Sequence, residues 1–257
     1  MTIRIIAIFN HKGGVGKTTT AVNLAACLAH VHKWHVLLID LDPQVNATRA
    51  LLPSELPEDS PTVKDWLLGN IHAAPTLKTS IDKLDLLPAD ITLSEAAFGL
   101  ATQNERNTFL RSALSRLSPS YRCILIDCPP SLGPLALNAL AAADAVIVPC
   151  ETQYLALRGL SHVIDLVELV KNRLNPGPKV LGVLPTKYHI LSLANNEVLK
   201  TLRENGRVPM FRTVIARDVR AEETASHGLP LILYAPEARA TQAYLHFAEE
   251  VMDLCQD

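Results

Sequence analysis

Long apolar runs are missing from this 257-residue chain. No stretch approaches the ~18 consecutive apolar residues of a membrane-spanning helix. Cysteine is scarce and scattered: Cys27, Cys123, Cys128, Cys150 and Cys255 are odd in number and never spaced Cys-x-x-Cys. That excludes a disulfide framework and a zinc site, fits a reduced cytosol, and makes the five small apolar fillers rather than reactive thiols. The start, Met-Thr-Ile-Arg-Ile-Ile-Ala-Ile-Phe, lacks a signal-peptide layout and reads directly as a strand. Neither internal repeats nor a low-complexity linker divide the chain, so residues 1–257 are expected to form one domain. A domain of that size buries roughly 70–75% of its unfolded surface and needs no staple. Net charge is only −2, so nothing global announces nucleic acid. Its distribution is uneven: residues 171–220 hold ten Lys/Arg against Glu197, Glu204 and Asp218, whereas seven acids from Glu222 onward face Arg239 alone.

Short apolar β-rich runs alternate with helical patterns, the mark of βαβ units. The runs at 3–9, 35–39, 123–126, 145–148 and 180–184 are continuous rather than alternating, as when helices cover both faces of a parallel sheet. Helices are predicted over 18–30, 105–117, 135–142, 159–174, 195–204 and 238–254, with a short one at 63–68. The stretch 52–80 is polar and proline-punctuated. The fold class is α/β: a doubly wound, mostly parallel sheet.

After the first strand comes His11-Lys12-Gly13-Gly14-Val15-Gly16-Lys17-Thr18-Thr19, then a helix. The P-loop pattern G-x-x-x-x-G-K-S/T fails by one residue, because His11 stands in place of the first glycine. Its mechanics remain. Gly13, Gly14 and Gly16 let backbone N–H groups cradle phosphate oxygens, Lys17 suits the β- and γ-phosphates, and Thr18 suits Mg²⁺. The helix that follows offers the positive end of its dipole. Asp127, closing the apolar strand Cys123-Ile124-Leu125-Ile126, has the Walker-B arrangement of a Mg²⁺-holding carboxylate. Asp40 and Asp42, at i and i+2 beyond Leu37-Leu38-Ile39, are expected to point together into the ligand crevice.

Lys12 directly before the double glycine resembles the signature lysine of the K-G-G-x-G-K-S/T loop in the ParA/MinD family of deviant Walker-A ATPases. Asp40-Leu41-Asp42-Pro43-Gln44, with Asn46 and Thr48, resembles the D-x-D-P-Q-x-N-x-T segment of its ParA branch. Cys128-Pro129-Pro130-Ser131-Leu132-Gly133 resembles the family's second switch loop. The resemblance implies that Lys12 reaches the partner's phosphates across a nucleotide-sandwich dimer, that Asp42 orients the attacking water, and that Asp40 supports the Mg²⁺ shell. Lys12, Lys17 and Asp42 are then the catalytic set. More loosely, residues 214–220 and 226–231 resemble the stretch "I-P-R-N-V-R…S-H-G-K-P", with Ala216 for proline and Asp218 for asparagine. Adenine contacts are expected there and at Thr186 and Lys187.

The family further implies ATP-dependent, sequence-independent DNA binding. Lys200, Arg203 and Arg207 are spaced to share a helical face, and Arg217 and Arg220 are expected in the following loop. The implied activity is a cytoplasmic, nucleoid-associated ATPase, slow without a ParB-like or other cargo adaptor that stimulates hydrolysis. It positions a plasmid, chromosome or protein assembly, with ATP and Mg²⁺ as cofactors. A membrane-associated MinD-like regulator would want a basic amphipathic C-terminal helix, whereas residues 246–257 are acidic. An iron–sulfur reductase on the same loop would need paired cluster cysteines, which Cys128 and Cys150 do not supply. A scaffold without turnover would have no use for Lys12, Lys17, Thr18, Asp42 and Asp127 together.

Overall fold

The apolar runs fold as strands of one sheet in a computed structural model that describes residues 4–52, 54–101, 107–117, 120–153, 156–204 and 208–255. They are β1 (Arg4–Ile8), β2 (Val36–Asp40), β5 (Cys123–Asp127), β6 (Ala145–Glu151) and β7 (Lys179–Thr186). Two further strands, β3 (Leu77–Lys78) and β4 (Leu84–Leu87), lie where the sequence pattern predicts none. The order is β3-β4-β2-β5-β1-β6-β7, parallel throughout except for the antiparallel β3–β4 pair. Sequence order reverses beside β1, so the crevice beyond its carboxyl end is the topological switch point.

Alternate strand residues feed two cores. Ala7, Leu37, Ile39, Ile124, Ile126, Val146 and Val148 face one side. There they meet α3 (Val63–Leu67), α4 (Leu93–Ala101), α5 (Phe109–Leu114), α6 (Pro134–Ala142), α7 (Ala156–Arg173) and α8 (Leu193–Glu204). Ile6, Ile8, Val36, Leu38, Cys123, Leu125 and Ile147 face the other side. That layer holds α1 (Lys17–His30), α2 (Asn46–Leu51), α9 (Val219–His227), α10 (Leu231–Tyr234) and α11 (Arg239–Cys255). Among the described residues no helix is long and apolar enough to cross a membrane.

Two corrections to the sequence pattern involve residues distant in sequence. The helix predicted over 105–117 is regular only over Phe109–Leu114, where Asn138 from α6 accepts the Leu110 N–H at 3.2 Å; residues 102–106 lie outside the described ones. The strand β4, between β3 and β2, carries Asp85, an acid inside an apolar run. Its buried carboxylate accepts hydrogen bonds from Lys78 Nζ (2.8 Å) and Tyr121 Oη (2.8 Å), and His35 lies 3.3 Å away. A buried charge matched in this way is tolerated within a strand.

Candidate nucleotide-binding site

The glycine loop is built by straps. Asn10 donates to the Pro149 carbonyl at 2.8 Å and accepts the Lys12 N–H at 3.0 Å, tying the loop to β6. Thr186 at the end of β7 donates to the Val15 carbonyl at 2.8 Å. Between these ties Gly14 (φ 73°) and Gly16 (φ 88°) are left-handed, a conformation that side chains bearing a Cβ adopt only under strain. Gly16 is also the N-cap of α1, and no side chain caps that helix. Its first N–H groups and positive dipole end therefore face the crevice, ready for an anion.

A cavity of about 430 Å³ opens there. Gly13, Gly14, Gly16, Lys17, Thr18 and Thr19 form its floor, and Asp42 faces them. Thr186, Lys187, Ala216 and Asp218 form the far wall, so the phosphate and base candidates share one hollow. Val15 is buried beneath the floor. Lys17 is 7% exposed and its Nζ donates to the Lys12 carbonyl at 3.1 Å. Burial draws its ammonium below the ordinary lysine range, while the nearby Asp127 and Asp42 charges pull the other way.

The three carboxylates separate into distinct environments. Asp127 pairs with Ile8 and Asp40 in the strand register, is wholly buried, and among the described residues neither of its oxygens makes a hydrogen bond of good geometry, the Thr18 hydroxyl lying beside it. Burial, then the Asp40 charge, raises its pKa well above the carboxylate range, and the neighbouring Thr18 hydroxyl only moderates that. Two orphaned oxygens in a dry site are costly unless a cation meets them. With the Thr18 hydroxyl at the floor, this donor set fits Mg²⁺, which takes one or two protein ligands and fills its shell with phosphate and water.

Asp40 behaves differently from expectation. Its Oδ2 accepts from Thr48 N (2.8 Å) and Thr48 Oγ1 (2.7 Å), and its Oδ1 from Asp42 N (3.1 Å). The alternation that should aim Asp40 and Asp42 together ends because β2 stops at Asp40. Asp42 turns into the cavity, whereas Asp40 stays behind it and anchors α2. Burial pushes Asp40 up to about 6 against those hydrogen bonds. Val45, the N-cap of α2, sits at φ 62°, a strained position for a β-branched residue.

The basic candidates divide as well. Lys200 and Arg203 are exposed on α8, with Lys200 3.8 Å from Glu204. Arg207 lies outside the described residues. Arg220 is not in a loop but in the first turn of α9, where Asp218 is the N-cap. Arg220 Nε and Nη2 both donate to Asp218 at 2.9 Å, so that carboxylate is occupied at the cavity wall. Arg217 lines the cavity, 3.5 Å from Glu222.

Sequence pattern missed the contacts of Lys12. Its Nζ lies 3.2 Å from Glu151 Oε2 and 3.1 Å from Gln153 Oε1. Nothing local announces this, because Glu151 is 139 positions away.

The chain is similar to known proteins over nearly its whole length. The family described as AAA domain matches residues 3–180. The sporulation initiation inhibitor protein Soj of Bacillus subtilis is 43% identical over 249 residues, covering 96% of this chain and 98% of Soj. The chromosome partitioning protein ParA of Myxococcus xanthus is 41% identical over 252 residues, covering 97% of this chain and 88% of that one. Among solved structures, cobyrinic acid a,c-diamide synthase from Mycobacterium smegmatis with bound ADP and magnesium superposes with a TM-score of 0.86 at 33% identity. It covers 100% of this chain and 96% of its own. With a deviant glycine loop, a buried strand-end carboxylate and relatives alike over nearly their whole length, the chain belongs to the ParA/MinD family, in its ParA/Soj branch.

Proposed function

We propose that this chain is a Mg²⁺-dependent ATPase of a partition or positioning system. It closes into a dimer on ATP, binds DNA without regard to sequence in that state, and lets go when an adaptor on its cargo stimulates hydrolysis. The cargo is a plasmid, a chromosome or a protein assembly, and the site of action is the nucleoid in the cytoplasm. Soj and ParA relatives, and a similar fold bound to ADP and magnesium, support the reading.

The observation that carries it is Asp127, a dry carboxylate with two unpartnered oxygens beside an uncapped helix start and a lysine. Thr18 and Asp127 would hold Mg²⁺ there, which when bound neutralises charge on the terminal phosphates. Lys17 exchanges its bond to the Lys12 carbonyl for phosphate oxygens. Gly13–Thr19 N–H groups hold the remaining oxygens, and Thr186, Lys187 and Ala216 flank the base. Asp42 accepts the Gln44 N–H at 2.9 Å through Oδ1, and its other oxygen is the candidate to orient the attacking water. Lys12, delivered by the second subunit, offsets charge on the transferring phosphoryl group as an arginine finger does.

Lys17→Ala tests the site, since the phosphates lose their cation. Fluorescent ATP titration should show binding abolished, and undiminished affinity refutes the assignment. DNA co-sedimentation with a non-hydrolysable ATP analogue, with ADP and without nucleotide tests the cycle. Retention should appear only with the triphosphate form.

A further inference from the structure

Lys12 is parked, not loose. Two of its three ammonium N–H groups have acceptors on one short segment, Glu151 Oε2 at 3.2 Å and Gln153 Oε1 at 3.1 Å. Those acceptors are pre-set: Gln153 Nε2 donates to Glu151 Oε1 at 2.8 Å, and Gln153 N donates to the Glu151 carbonyl at 2.8 Å. The segment itself is pinned. Thr152 N donates to the Thr186 carbonyl at 3.3 Å, and Asn195 Nδ2 donates to the Thr152 carbonyl at 2.7 Å. The anchor is thus fixed, and the mobile partner is the four-carbon lysine stem, 41% exposed. Lys12 is joined to the nucleotide site through its own carbonyl, which accepts from Lys17 Nζ at 3.1 Å. A phosphate that draws Lys17 away removes that donor from the residue bearing the parked ammonium.

We propose that Glu151 and Gln153 are positioning residues that hold Lys12 on its own subunit, a restraint that must break before the lysine crosses to a second copy of the chain. The inference rests on the closure reading given above. Lys17 is the link through which bound triphosphate loosens the hold. Because Lys12 is 41% exposed and reaches solvent, the restraint is small and reversible, worth about two- to fivefold in an equilibrium. That suits a gate that nucleotide must open on every cycle.

Two readouts test it, with Glu151→Gln, which keeps shape and removes charge, and Gln153→Ala, expected to act in the same direction but less. The first is the rate at which an amine-acetylating reagent labels Lys12 in the nucleotide-free single chain, read by mass spectrometry against the exposed Lys33. It should rise about two- to fivefold in Glu151→Gln. The second is the dimer dissociation constant with Mg²⁺ and a non-hydrolysable ATP analogue, measured by sedimentation. It should fall, and the single chain should bind the analogue more tightly by no more than the labelling factor, because a hold that triphosphate loosens weakens triphosphate binding in return. Unaltered labelling overturns the restraint, and so does faster labelling with an unchanged or weaker dimer. A wild-type chain that stays single with analogue bound sinks the closure reading instead, and with it any role for the restraint, even where labelling rises.

Discussion

Asp40 and Asp42, two positions apart, make opposite demands on the fold. Replacing Asp40 with alanine orphans the buried Thr48 N–H and hydroxyl and the Asp42 N–H. Each stranded buried donor costs about 1–3 kcal/mol, but relief from burying a carboxylate returns part of that. We expect a net loss of about 1–2 kcal/mol, or about 2–8 °C in Tm for a chain of this size. Asp42→Ala removes a single described hydrogen bond, to Gln44 N, and should change stability by under about 1 kcal/mol. Its hydrolysis should fall by about a hundredfold or more, the worth of a general base, with ATP binding retained. Melting curves beside single-turnover hydrolysis separate the two. Equal melting of both variants would contradict the division of roles. The glycine loop and Asp127 are legible in sequence because their spacing is local. Asp40's role is not, because it depends on where β2 stops, and the hold on Lys12 is not, because it joins residues 139 positions apart.

The strand β4 shows the same limit at the scale of elements. Leu84-Asp85-Leu86-Leu87 looks unlike a buried strand until Tyr121, 36 positions on, supplies a hydroxyl to the acid. By contrast β1, β2, β5, β6 and β7 have unbroken apolar interiors, with their charged residues only at the strand ends, and announce themselves. Burial alone would raise the Asp85 pKa, but hydrogen bonds from Lys78 and Tyr121, with the Lys78 and His35 charges, hold it below the usual 3.8. The native state therefore favours the ionised form. Its contribution is present above the unfolded pKa of about 3.9 and is lost as pH falls through the folded value. Asp85→Asn should cost about 1–2 kcal/mol at pH 7, since charge-assisted hydrogen bonds become neutral ones. Urea unfolding at several pH values checks this. The wild-type advantage should shrink below pH 4, and an advantage constant from pH 7 to pH 3 would exclude the ionised carboxylate as its source.

At the scale of the whole molecule, charge is sorted by region while the total stays near zero, so the DNA affinity proposed above would have to come from a patch. The basic stretch does not act as one surface. Arg220 is forked onto Asp218 and Arg217 lies near Glu222 at the cavity, whereas Lys200 and Arg203 are exposed on α8. A guanidinium already bidentate to a carboxylate gains little from a phosphate, while an exposed ammonium gains counterion release. Lys200 does lie 3.8 Å from Glu204, but an exposed pair at that distance is weak and yields readily to phosphate. Each phosphate contact contributes about 0.9 to the slope of log K against log salt on duplex DNA. Lys200→Ala with Arg203→Ala should therefore flatten the slope of the ATP-bound form by about 2, equally for unrelated sequences. Arg220→Ala should change it by less than half as much. Binding isotherms at four salt concentrations measure both, and a steeper loss from Arg220→Ala than from the α8 pair would move the DNA surface from α8 to the mouth of the nucleotide cavity.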